Sequence, residues 1–174
     1  FPPEEESDLK PADEWILAEA NALIEECRRS YEEFDFFVPS NRAREFLWNV
    51  FAPHYVEMVK GRAYEGQSGA LFTLHEVLKV LLKLMAPVTP FITARIWEEI
   101  YGGNIHREEL PDVQEEWKGP LVDMTQPLMD FNSEVWKLKK ERGLSLREDI
   151  SEISIPDGLE PFEEDLIRMH RLVG

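Results

Sequence analysis

The sequence predicts a mainly α fold, a bundle of four to five helices followed by a small C-terminal α+β appendage. Three observations predict it. Apolar residues recur at helical spacing through four successive stretches before residue 103. Short links rich in proline, glycine, serine or asparagine separate those stretches. Past residue 120 the character changes, and Ile150, Ile153 and Ile155 with polar residues between them read as one short strand.

Residues 1–11 are proline-rich and acidic and read as a linker, and the start Phe1-Pro2-Pro3, with no initiator methionine or signal-peptide pattern, reads as an internal cut. Asp13 is placed to cap a first helix over about 12–34, whose apolar series is Ile16, Ala20, Leu23, Cys27, Tyr31 and Phe34. The residue before Pro39 avoids helical geometry, so the chain is expected to break at Val38-Pro39, with Ser40 or Asn41 capping a second helix over about 41–64. Its expected buried side is Ala43, Phe46, Leu47, Val50, Phe51, Val56 and Val59. Pro53 lies inside it and should bend it near Asn49, because a proline removes a backbone donor and collides with the carbonyl four residues back.

After the turn 66–69, Leu71, Leu74, Leu78, Leu81, Leu82 and Met85 mark a third helix, stopped by Pro87 and Pro90. Pro90 suits a first turn, so a fourth helix follows with Ile92, Ile96, Trp97 and Ile100 on its apolar face, up to Gly102-Gly103. Short links between four such helices imply a bundle. Residues 103–120 show no period and read as a loop that wraps the bundle and pins it with Trp117. A fifth helix, about 121–142, carries Leu128, Phe131, Val135 and Leu138; Pro127 bends or starts it, and Gly143 offers a left-handed cap. Pro161 to Leu172 reads as a last amphipathic helix. A single strand needs partners, which have to lie in 103–120 or beyond Gly174. The division is therefore a linker over 1–11, a bundle with its wrapping loop over 12–120, and an appendage over 121–174.

Composition sets the class. A chain of 174 residues with 43% hydrophobic and 31% charged residues can bury a core. The most apolar stretch, Val77 to Met85, is interrupted by Lys79 and Lys83, so no membrane partner is expected. One cysteine, Cys27, excludes an internal disulfide, reads as a small buried thiol and fits a reducing cytoplasm. The balance of 19 basic against 35 acidic residues, net −16, opposes nucleic acid binding, unless the positive surface is local.

No nucleophile with a base, metal cluster or phosphate loop appears at usable spacing. His54, His75, His106 and His170 are isolated and read as surface or core-edge residues. Glu98-Glu99 and Glu115-Glu116 read as solvated acids, and Gly102-Gly103 as a turn. The basic residues are grouped: Arg28-Arg29, Arg42 with Arg44, Lys60 with Arg62, and Lys137, Lys139, Lys140 and Arg142 late in the fifth helix. The last group either complements the helix dipole or meets phosphate. Of five tryptophans, Trp15 stands in a first helical turn, where it is either a buried helix-start residue or exposed enough to stack on an unpaired base.

The string Ala12-Asp13-Glu14-Trp15-Ile16-Leu17 resembles the (A)D-x-W-I-L signature that opens the anticodon-binding bundle of class I aminoacyl-tRNA synthetases of the valyl, isoleucyl and leucyl branches. Phe46-Leu47-Trp48-Asn49-Val50-Phe51, followed by Tyr55-Val56-Glu57 with Lys60 and Arg62, resembles their F-x-W-N-x-F … W-Y-[VL]-E-x-x-K-x-R helix. The run Leu82 to Thr93, with Ile96-Trp97-Glu98, resembles L-L-x-P-[FV]-x-P-F-[IV]-[TS]-E-x-[IL]-W, and Lys137 to Leu146, with Lys139 to Leu146 in it, resembles K-x-x-x-G-L-S-L. The resemblance covers about residues 9–156, and Glu57 favours the valyl branch, with isoleucyl and leucyl behind it. Ala52-Pro53-His54 and Ala94-Arg95 depart from the pattern.

This resemblance implies a domain that grips the anticodon stem and loop of tRNA and packs with a catalytic domain of the same chain. Its class I catalytic signatures, H-I-G-H-like and K-M-S-K-S-like, are absent from these residues, so the piece itself should be inactive and hold no cofactor or metal; ATP and magnesium belong to the implied full enzyme, a cytoplasmic ligase of valine and tRNA. DNA is not an implied partner. Trp15, Arg42, Arg44, Lys60 and Arg62 are the candidate anticodon-side residues, and Lys137, Lys139, Lys140 and Arg142 the candidate phosphate contacts. The competing reading is a free helical protein-interaction module with an exposed apolar groove and no RNA affinity.

Overall fold

A computed structural model describes residues 8–151 and 153–173; the proline-rich start and Gly174 lie outside the described residues. Seven α-helices are present among them: α1 (Pro11–Glu32), α2 (Phe37–Glu45), α3 (Glu57–Tyr64), α4 (Ser68–Met85), α5 (Pro90–Ile100), α6 (Thr125–Glu141) and α7 (Glu163–His170). A π-helical segment, Phe46–Val56, joins α2 to α3 without a break. The fold is mainly α, as the periodicity predicts. No helix of the described residues is long and apolar enough to cross a membrane.

α1 starts at Pro11, with Lys10 in the capping position and Asp13 at the third helical residue, from which its Oδ2 accepts the Lys10 amide at 2.9 Å. Asp13 thus does half of what the sequence assigned it, closing a capping box one turn inside the helix rather than standing at its threshold. Phe34 turns the chain with a φ of 60°, and Asp35 Oδ1 then accepts the amides of Phe37 and Val38. The second helix therefore begins earlier than Ser40 or Asn41, with Pro39 tolerated in its first turn.

Pro53 produces a wider winding rather than a simple bend. The i→i+5 pattern of the π segment draws the preceding carbonyls away from a ring that would collide with them in an α-helix. Its residues five and four apart share a face: Phe46 and Phe51 stack at 6.1 Å, and Phe51 stacks on Tyr55 at 5.8 Å. The buried set becomes Phe46, Phe51, His54, Tyr55, Met58 and Val59, while Leu47, expected inside, is partly exposed.

One continuous apolar core runs from Trp15, Ile16, Leu23 and Cys27 of α1 through Tyr55, Val59, Val77 and Leu84 to Leu128, Phe131, Phe162 and Leu166 near the C-terminus. Burial pushes the Cys27 thiol up to about 12. A smaller cluster around Leu82, Trp97 and Ile105 fastens α5 to α4. The segment 103–120 does wrap the bundle: Asn21 exchanges two 2.8 Å hydrogen bonds with the backbone of Gln114, and Trp117 packs against the core. α7 lies across α3 at Gly61, where an added Cβ would meet the Arg168 side chain at 3.2 Å.

The expected strand is reduced to a single parallel bridge, Ile150 to Leu172, in which Ile150 donates to the Arg171 carbonyl at 3.1 Å and Val173 to that of Ile150 at 3.0 Å. Gly143, with φ 68°, ends α6 as predicted, passing the Leu144 amide to the Lys139 carbonyl at 2.9 Å.

Candidate nucleic-acid interface

Arg44, Leu47 and Trp48 stand three and four residues apart and share one side of the helix that runs from α2 into the π segment. Opposite them, α4 presents Leu78, Leu81 and Met85, and α5 presents Thr93 and Ile96. Between the two sides lies an open cleft of about 520 Å³. Trp48 is 68% exposed at its edge, and Phe37 and Phe91, close in sequence to its lining, are 76% and 90% exposed. Arg44 is the one charged residue in the lining. Its Nη2 donates to Asn41 Oδ1 at 3.1 Å, and it makes no ion pair among the described residues.

Arg42, two residues away, faces the other side of the helix. Its Nε meets Glu26 at 2.8 Å and its Nη1 meets Glu45 at 2.9 Å, in a depression of about 210 Å³ that also includes Glu19. The hydrogen bonds it donates to Glu26 and then to Glu45 raise its pKa above the ordinary arginine value. Lys60 is exposed and paired with Glu57. Lys137, Lys140 and Arg142 are exposed at the end of α6; Lys137 and Lys140 are one turn apart, and Lys137 reaches Glu141 only at 4.0 Å.

Three expected contact residues are interior. Trp15 has no exposed surface, its Nε1 donates to Thr125 Oγ1 at 2.8 Å, and its ring meets Phe162 edge-on at 6.2 Å. Of the two readings the sequence allowed for it, the buried helix-start tryptophan holds. Arg62 is enclosed between Asp13 and Asp165. Burial opposes its charge, but the hydrogen bonds to Asp13 and Asp165 more than offset that, so its pKa stands above the ordinary value. Lys139 is likewise fully buried and donates to the carbonyls of Glu148 at 2.6 Å, His170 at 2.7 Å and Leu146 at 3.1 Å; burial lowers its pKa. Neither side chain is free to meet RNA.

Two groups are not marked by spacing along the chain. Trp48, rather than Trp15, is the exposed tryptophan, and it stands outside the apolar series that helical spacing marks on its helix. His54, Asn132 and His170, from three distant stretches, form a buried chain of hydrogen bonds. No group of histidine, cysteine or acidic side chains among the described residues has an arrangement that could hold a metal ion.

The family described as the anticodon-binding domain of tRNA ligase matches residues 13–155. The valine–tRNA ligase of Pyrobaculum aerophilum is 36% identical over 99% of this chain, that of Aeropyrum pernix 36% over 98%, and that of Nanoarchaeum equitans 33% over 97%. The chain spans only 23%, 23% and 22% of those relatives' own lengths.

Proposed function

The chain belongs to the anticodon-binding domain family of tRNA ligases, and from that premise we propose that it binds the anticodon stem and loop of a valine tRNA as part of a valine–tRNA ligase. The observation that carries this reading is the family match over residues 13–155, which takes in the cleft, both of its walls and the basic end of α6. A catalytic domain of the same polypeptide, working in the cytoplasm with ATP, magnesium and valine, would perform the ligation; this piece contributes grip and orientation.

Arg44 and the exposed Arg42 and Lys60 are the candidates on the loop side, and Lys137, Lys140 and Arg142 are the candidates for stem phosphates. Arg42 and Lys60 would have to leave carboxylate partners to bind RNA. Exposed ion pairs of this kind contribute little, so the exchange is feasible. The overall charge keeps the phosphate-driven part of the affinity small and confined to these positions.

Titration of the 174-residue chain with anticodon stem-loops of valine, isoleucine and leucine tRNAs, at about 50 and about 200 mM salt, tests the reading. Salt-sensitive binding with preference for the valine loop supports it in full. Equal binding of all three leaves an RNA-binding domain and removes the valine assignment. No binding at the lower salt removes the RNA reading and favours the protein-interaction module.

A further inference from the structure

We propose that the cleft between the α2–π helix and α4–α5 receives one unstacked nucleobase of the bound RNA loop, with Trp48 as its stacking face and Arg44 on the adjoining phosphate. The inference rests on the RNA-binding reading above and adds a site to it.

A chain of net charge −16 offers a polyanion few places to approach. Most of its depressions present carboxylates. Arg42 shares its hollow with Glu19, Glu26 and Glu45, and Arg28 shares another with Glu32, Glu109 and Asp112. The lining of the 520 Å³ cleft has no carboxylate, and its one charge is a guanidinium without an acidic partner among the described residues. Its electrostatic sign therefore suits a nucleotide.

The walls agree with the charge. Leu81, Met85 and Ile96 make a low-polarity floor that does not compete for hydrogen bonds, and the exposed indole of Trp48 offers a flat face at the edge. A purely apolar partner would leave Arg44 to be desolvated without compensation, whereas a nucleotide supplies both a π face and an anion. Asn41 donates to the Phe37 carbonyl at 2.9 Å while accepting from Arg44, which tethers the guanidinium to a second residue of the lining.

The test uses the full 174-residue chain and the stem-loop it binds best, carrying in turn a single abasic site at each unpaired loop position. Trp48→Ala should weaken binding roughly tenfold, the size of one lost base–aromatic stack, and Trp48→Phe, which keeps a ring, should stay within about threefold of the parent. Arg44→Gln should lower the slope of log affinity against log salt by about one. At one loop position the abasic substitution should cost nothing further in Trp48→Ala. Stem-loop binding that is unchanged in Trp48→Ala and Arg44→Gln, or additive losses at every loop position, overturns the cleft assignment while the RNA reading stands. A parent chain that binds no stem-loop overturns both.

Discussion

Arg62 holds Asp13 by a two-pronged contact inside the core, Nη1 to Oδ2 at 2.9 Å and Nη2 to Oδ1 at 3.0 Å, and grips Asp165 with Nε and Nη2 at 2.9 and 3.0 Å. Tyr55 adds a hydroxyl to Asp13 Oδ1 at 2.7 Å. The first turn of α1, the end of the π–α3 helix and the start of α7 are thereby joined through one planar cation. Two residues that read from the sequence as a helix cap and an RNA contact are in fact partners of each other.

Arg62→Met should therefore destabilise the chain by about 3–5 kcal/mol, because it leaves two carboxylates buried without a counter-charge. Arg62→Lys should recover only part of this, since an ammonium lacks the fork that spans two carboxylates at once. Urea unfolding followed by far-ultraviolet circular dichroism reads both. A loss below about 1 kcal/mol in Arg62→Met would show that the cluster is solvated and weakly coupled.

The basic residues of α6 separate in the same way. Lys139→Met should unfold the segment after Gly143 preferentially, because three carbonyls lose their common donor, at a cost of about 2–4 kcal/mol. Hydrogen exchange at residues 144–150 and 170–173 should rise with it. Lys137→Gln with Lys140→Gln should leave stability within about 0.5 kcal/mol and lower the salt slope of RNA binding by up to about two. The opposite pattern, with Lys139 governing the slope, would restore it as a phosphate contact.

Much of the fold is legible in the sequence because its helices are amphipathic and their ends are marked by proline and glycine. Pro90 at the start of α5 and Gly143 after α6 stand where local chemistry predicts them. What was not legible is long-range. The burial of Arg62 and Lys139 depends on Asp165 and on the His170 carbonyl, neither of which can be paired with them from spacing along the chain. The exposed edge formed by Trp48 with Leu47, which helical spacing points inward, depends on how α4 and α5 pack against this helix and not on the local pattern. Arg44 was legible as a candidate by chemistry, and its freedom from acidic partners only in three dimensions.

Trp15 separates structure from recognition. Trp15→Ala should cost about 3–5 kcal/mol as a large core truncation. Trp15→Phe keeps most of the volume and loses the bond to Thr125, so it should cost less, about 1–3 kcal/mol for the lost bond and the unfilled space. Under conditions where Trp15→Phe is fully folded, its RNA affinity should equal that of the parent. A tenfold loss there would mean that the first turn of α1 opens to RNA.

The chain of buried polar groups beside α6 makes stability depend on pH in a definite direction. Asn132 Nδ2, which can only donate, lies 2.9 Å from His54 Nδ1, and Asn132 Oδ1, which can only accept, lies 2.7 Å from His170 Nε2. His54 Nδ1 must therefore be unprotonated, and His170 must carry its proton on Nε2. Burial, then the nearby Lys139 and His54, lower His170 to about 4, and burial lowers His54 as well. The unfolded chain binds a proton at each histidine near the ordinary value of about 6.5, which the folded chain refuses. Stability from these groups is thus fully present above about pH 6.5 and is lost as pH falls toward 4, by roughly 3 kcal/mol for His170. The urea midpoint of the parent should fall over that window. In His170→Gln, whose amide can still donate to Asn132, the fall should be clearly shallower, with His54 accounting for what remains. Equal slopes in the two proteins would mean that His170 takes up its proton within the fold, and that the buried chain opens before the domain does.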